Sequence, residues 1–127
     1  MRRLISLLPV IFALGGCALP PPGPPPALEP AAVCTMPDQC EAMWAEALVQ
    51  VQNISGMKLQ IATESFAQTY NSTGAGRLSA TIRKVPRPEG GKTIEAEFSC
   101  VYCGNLPYSA ANLFTANVKA VGDKFSK

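Results

Sequence analysis

The chain reads as an exported α+β protein: a small two-layer domain of helix, three-stranded antiparallel meander and helix, stapled by disulfides. Three observations predict it. Within residues 34–127, apolar residues recur at helical spacing near both ends and alternate with polar ones in the middle, and four cysteines lie in that stretch. About ninety residues suffice for one domain, but a core of that size is marginal and gains from covalent staples.

Residues 1–16 read as an export signal. Arg2 and Arg3 form a short basic segment, residues 4–14 form a run that is apolar apart from Ser6, and small residues lead into a cysteine in Leu14-Gly15-Gly16-Cys17. The apolar run is too short for a bilayer-spanning helix, which needs about twenty residues, and Pro9 interrupts it. The block resembles the lipobox of bacterial lipoproteins, in which the cysteine becomes the acylated first residue of the mature chain. Cys17 is then the lipidation site. Each buried methylene adds about 0.8 kcal/mol, so two or three acyl chains hold the protein stably where one does not. By analogy with the sorting pattern of those lipoproteins, Leu19 in place of an aspartate favours the outer membrane, with the domain facing the periplasm.

Residues 17–33 carry that cysteine and a proline-rich tether, with Pro20-Pro21-Pro22-Gly23-Pro24-Pro25-Pro26 and then Pro30. Proline fixes φ and removes amide donors, so polyproline II is the natural state. At about 3.1 Å per residue such a spacer reaches roughly 50 Å. A docking motif for an aromatic-lined groove, or a contact with the cell-wall polymer, is the functional alternative to a plain spacer.

In residues 34–127, Thr35 is a candidate N-cap, with Pro37 in the first turn and Asp38 three residues on. Cys40, Trp44, Ala47, Val51 and Ile54 recur at helical spacing, Met43 and Leu48 widen the stripe, and Gly56 is the stop. Met57, Leu59 and Ile61 alternate with Lys58 and Gln60 as a first strand, which Phe66, Gln68 and Tyr70 continue past a bulge. After a turn at residues 71–74, Leu78, Ala80 and Ile82 alternate with Ser79, Thr81 and Arg83 as a second strand. Pro86-Arg87-Pro88-Glu89-Gly90-Gly91 breaks the chain again. Ile94, Ala96, Phe98 and Cys100 then face one way and Glu95 and Glu97 the other, giving a third strand. Ala110, Leu113, Phe114, Val118 and Val121 form the stripe of a closing helix that ends at Gly122, with a frayed basic tail beyond. Strands with one apolar face pack both helices on that face. The outer face would carry Lys58, Gln60, Ser79, Thr81, Arg83, Glu95 and Glu97. A curl of the sheet into a short barrel is the alternative.

With Cys17 lipidated, Cys34, Cys40, Cys100 and Cys103 form a disulfide framework with three possible connectivities. In a three-stranded meander the last strand runs antiparallel to the first helix, so its end lies beside the helix's first turn. This favours Cys40–Cys100 with Cys34–Cys103, a cross-link worth roughly 4 kcal/mol in the chain-entropy model. The local pairing, Cys34–Cys40 with Cys100–Cys103, stands beside it. Cys100-Val101-Tyr102-Cys103 has redox-motif spacing, but no parallel strand–helix–strand unit accompanies it.

Nothing in the pattern points to catalysis. The chain lacks histidine, which removes the common base, proton shuttle and metal ligand together. Glu95 and Glu97 are neighbours on one exposed strand face, whereas glycoside chemistry needs carboxylates flanking a cleft. Gly74-Ala75-Gly76 lacks the longer phosphate-cradling pattern. No cofactor or metal is expected. Eleven Lys and Arg oppose nine Asp and Glu, and loss of Arg2 and Arg3 leaves nine against nine, which argues against a nucleic-acid partner.

Thr35-x-x-x-Gln39-Cys40-x-x-Met43-Trp44, with Cys100-x-x-Cys103 ahead of a closing helix, resembles a group of small, uncharacterised proteobacterial lipoproteins. These carry a Gln-Cys-x-x-Met-Trp segment after the tether and a second cysteine pair late in the chain. The resemblance implies a lipid-anchored envelope domain and transfers no activity. The expected function is therefore a non-enzymatic binding or scaffolding module, held to the membrane by its lipid and engaging an envelope protein or the cell wall. The second reading is an inhibitor or immunity protein that presents residues 71–76 or 86–92 to a toxin or wall-degrading enzyme.

Overall fold

The structure is a computed structural model that describes residues 16–17, 19–21 and 23–127. Apart from Gly16, the predicted export signal lies outside the described residues. The element order is β1 (Ala32–Cys34), α1 (Pro37–Ser55), β2 (Leu59–Ala62), β3 (Phe66–Thr69), β4 (Ser79–Pro86), β5 (Lys92–Ser99) and α2 (Leu106–Gly122). A single 3-10 turn, Asp123–Phe125, follows. The class is α+β as predicted, with both helices on one face of an antiparallel sheet. That sheet has five strands in the order β1-β5-β4-β3-β2, not three, and it stays open.

Two strands were hidden. The predicted first strand is a hairpin, β2 and β3, that reverses at Thr63. The Thr63 hydroxyl accepts the amides of Ser65 and Phe66 at 3.4 and 3.0 Å and donates to the Phe66 carbonyl at 3.0 Å. A threonine side chain thus closes a turn without glycine or proline. The fifth strand comes from the end of the tether: Ala32 pairs with Ile94 and Cys34 with Lys92. The fold therefore begins before Cys34, and Ala32 is fully buried.

A bulge between Leu59 and Ile61 changes which side chains face the helices. Leu59 pairs with Thr69 on the inner face, while Ile61 pairs with Gln68 on the outer one. In β3 the inward residues are Ala67 and Thr69, so Phe66 and Gln68 point outward, contrary to the expected apolar face. Thr69 is buried without penalty because its hydroxyl accepts the Ala80 amide at 2.9 Å. Ser79, Thr81, Arg83, Glu95 and Glu97 lie on the outer face as expected.

Helix α1 begins one residue later than predicted, with Met36 rather than Thr35 as N-cap. The cap is supplied by Gln39, whose Oε1 accepts the Thr35 amide at 2.8 Å. Its Nε2 donates to the Gly122 carbonyl at 3.0 Å, tying the start of α1 to the end of α2. A Cβ at Gly122 would collide with the Met43 thioether, so the helices approach closely at that point. Helix α1 stops at Gly56, whose amide donates to Gln52 at 2.8 Å. In α2 the inward stripe is Ala110, Ala111, Phe114, Thr115 and Val118, and Leu113 is exposed instead of buried. Phe114 is fully buried and meets Phe98 of β5 edge to face at 6.2 Å.

The extra hairpin decides the polarity of the molecule. One more reversal makes β5 run in the same direction as α1, from the Cys34 end of the sheet towards the opposite end. Cys100 therefore emerges far from the first turn of α1. The long-range pairing Cys40–Cys100 with Cys34–Cys103 is not formed. Cys34 bonds to Cys40, with Cα atoms 5.1 Å apart, and Cys100 bonds to Cys103, with Cα atoms 5.7 Å apart.

Candidate functional site

The two disulfides mark two ends of the domain, and each end carries a feature of its own. At the first, Cys34–Cys40 joins β1 to α1. The β4–β5 hairpin folds over it so closely that a Cβ at Gly91 would run into the Cys34 carbonyl oxygen, and Gly91 holds φ +74°. Beside this bridge lies an open groove of about 680 Å³, within the range of small-molecule or peptide sites.

Trp44 and Cys40 form the groove's apolar floor, and Glu41, Glu64, Lys84 and Lys92 surround it. Helical spacing from the first turn of α1 places Trp44 there, and its indole N–H donates to the Thr63 carbonyl at 3.2 Å. The indole is thereby fixed by the β2–β3 turn. Lys84 sits at an inward-facing position late in β4, and its ammonium lies 5.3 Å from the centroid of the Trp44 ring. Two cations and two carboxylates around an indole suit a ligand that is itself charged and carries an apolar or aromatic group. Trp44, on the apolar stripe expected of the first helix, is both buried and part of this wall.

At the second end, the Cys100–Cys103 loop leads into α2. Tyr102 takes φ 59° and is 92% exposed, and the Val101 carbonyl accepts the Gly76 amide at 3.0 Å. Residues 71–76 thus share this end, while residues 86–92 border the groove. In that latter loop Arg87 pairs with Glu89 at 2.6 Å. A backbone hydrogen bond, and after it the Arg87 charge, hold the Glu89 carboxyl below its ordinary value.

The tether is not a free spacer throughout. Asn105 Nδ2 donates to the carbonyls of Gly23 and Pro24 at 3.2 and 3.4 Å. Asn112 Nδ2 donates to the Ala27 carbonyl at 2.9 Å, and its Oδ1 accepts the Glu29 amide at 2.8 Å. Asn112 therefore treats the extended segment as a neighbouring strand would, through one donor and one acceptor. A proline-rich segment has carbonyls but few amides, so side-chain amides are the natural partners. The recurrence of Asn105 and Asn112 two helical turns apart is the signal in the sequence for this docking. Leu28 closes a second cavity of about 390 Å³ between β5 and α2, walled also by Phe98, Pro107 and Tyr108.

Cys17 is exposed and is the free cysteine ahead of this docked segment. Glu95 and Glu97 remain on the exposed outer face, and the Thr93 hydroxyl donates to Glu95 at 3.2 Å. Among the described residues no helix is long and apolar enough to cross a membrane. Comparison of the chain with protein-family models, with curated proteins and with solved structures gives no match.

Proposed function

We propose that this protein is a lipid-anchored envelope lipoprotein, a non-enzymatic binding module held at the periplasmic face of the outer membrane by acyl chains on Cys17. The Leu14-Gly15-Gly16-Cys17 segment supports the anchor. The observation that carries the binding role is the separation of attachment from recognition. The tether leaves the domain beside Asn105, at the Cys100–Cys103 end, and the Trp44 groove opens at the other. An eight-residue strand such as β5 spans about 27 Å, so a partner of the groove would be met well clear of the lipid.

The groove's mixed charge and fixed indole suit a charged peptide segment of an envelope protein or of the cell-wall polymer. If the protein instead blocks a toxin or wall-degrading enzyme, residues 86–92 are the better placed of the two predicted loops, because they rim this groove. Two measurements test the reading. The intact mass of the chain recovered from bacterial membranes should show processing and acylation at Cys17, both lost in Cys17→Ser. Capture from envelope extracts should recover a partner that Lys84→Glu loses; recovery of the same material by both proteins would contradict the role of the groove.

A further inference from the structure

We infer that the Cys100–Cys103 end of the domain is a second, non-covalent membrane contact: an aromatic and cationic tip that rests on an anionic bilayer surface. The inference deepens the anchoring reading and rests on Cys17 being the point of attachment. The first ground is the length of the leash. Asn105 holds Gly23, and six residue steps separate Gly23 from Cys17. Even fully extended, at about 3.6 Å per step, those six steps keep the Gly23 end of the docked segment within roughly 22 Å of the lipid. The roughly 50 Å spacer read from the prolines alone is thus shortened by the docking of residues 23–31.

The second ground is what that end exposes. Val101 is 61% exposed and Tyr102 92%, and Leu106 and Tyr108 are exposed beside them. Tyrosine is enriched at the membrane–water interface, where its ring meets acyl carbon and its hydroxyl meets headgroups. Tyr102 holds a left-handed backbone conformation, φ 59°, with its side chain exposed at the loop's apex.

The third ground is charge. Arg77, in the neighbouring turn, and Lys58, whose carbonyl accepts the Tyr70 amide, stand at this end, and Glu97 of β5 borders it from the outer sheet face. No Asp or Glu occurs in residues 56–58, 70–79 or 99–106. The carboxylates Asp38, Glu41, Glu64, Glu89 and Asp123 cluster instead around the groove end. A cation close to an anionic leaflet strengthens adsorption by about fivefold.

The test couples the mature chain, residues 17–127, through the Cys17 thiol to a maleimide phospholipid in vesicles of phosphatidylethanolamine and phosphatidylglycerol with brominated acyl chains. Coupling is chemical, so the result does not depend on whether cells acylate Cys17; failure of that reading appears separately, as an unmodified mass. Trp44, the single tryptophan, reports from the groove end. Tyr102→Trp adds a reporter at the tip without touching the core. The indole introduced by Tyr102→Trp should be quenched by the brominated chains while Trp44 in the unsubstituted protein is not. Adding Lys58→Glu and Arg77→Glu should cut the quenching several-fold. Quenching of the tip no greater than that of Trp44 would overturn the inference, and it is the result expected if the tip docks a protein instead.

Discussion

The two ends of this domain carry the same covalent device and use it differently. At the groove end, Cys34 and Cys40 are buried, Gly91 lies against the Cys34 backbone and Gln39 ties α1 to α2. At the tether end, Cys100 and Cys103 are only half buried, and the loop between them projects into solvent. Both bridges close short loops, each worth about 2 kcal/mol in the chain-entropy model. What separates them is burial: one belongs to the core and the other clips a surface loop. Sequence spacing reports loop length and is blind to that distinction.

The largest effect that sharpens this comparison is loss of the buried bridge. Replacing Cys34 and Cys40 by Ser should cost about 4 kcal/mol, since two hydroxyls are buried as the cross-link is lost. The same change at Cys100 and Cys103 should cost about 2 kcal/mol. Denaturant midpoints measure both, and equal losses would erase the distinction between the ends. Next come the two glycines beside the bridges. Gly91→Ala should cost about 3 kcal/mol, because the methyl meets Cys34 backbone and φ is positive. Gly104→Ala, with φ +55° and open space around it, should cost about 1 kcal/mol by thermal unfolding.

A smaller effect follows from the docked tether. Asn105→Ala with Asn112→Ala removes side-chain hydrogen bonds at exposed positions, worth about 1 kcal/mol each at most. Stability should barely move, but limited proteolysis within residues 23–31 should quicken several-fold. Unchanged cleavage would mean that the prolines alone protect the segment. The smallest effect concerns the loop beside the groove. Glu89 has its carboxyl pKa depressed in the fold, so its contribution is present above the ordinary value of 4.5 and is lost as pH falls through the folded value. The stability gap between the protein and Glu89→Gln should therefore exist at neutral pH and close in acid. Because Glu89 is exposed, salt should shrink it as well.

The fold class, both helices and strands β4 and β5 were legible because their apolar spacing is regular and glycines or prolines bound them. The β2–β3 hairpin was not. Its turn is built by the Thr63 side chain, and the inward face of β3 is Ala67 and Thr69, which carry no hydrophobic alternation. Strand β1 is three residues long and follows a proline tract, so no periodicity could show it. The missed hairpin, and not the missed edge strand, carried over into the disulfide pairing. One missing reversal turned the last strand around and brought Cys100 to the wrong end of α1. Of the candidate site, Cys34, Cys40, Cys100 and Cys103 lie in pairs at disulfide distance, but in the local pairing and not the long-range one that a meander favours. The groove was not legible, because Lys84, Glu64 and Lys92 come round Trp44 only through the β2–β3 reversal and the pairing of β4 with β5.

The docked tether aims Cys17, the proposed attachment point, at the Cys100–Cys103 end and leaves the groove free. Cys17 supplies the one free thiol among the described cysteines, so a nitroxide can be placed there in the mature chain without further substitution. Paramagnetic broadening of the amide resonances should concentrate on residues 74–77 and 101–108 and spare residues 86–92. Broadening spread evenly over the domain, or focused on residues 86–92, would contradict the account.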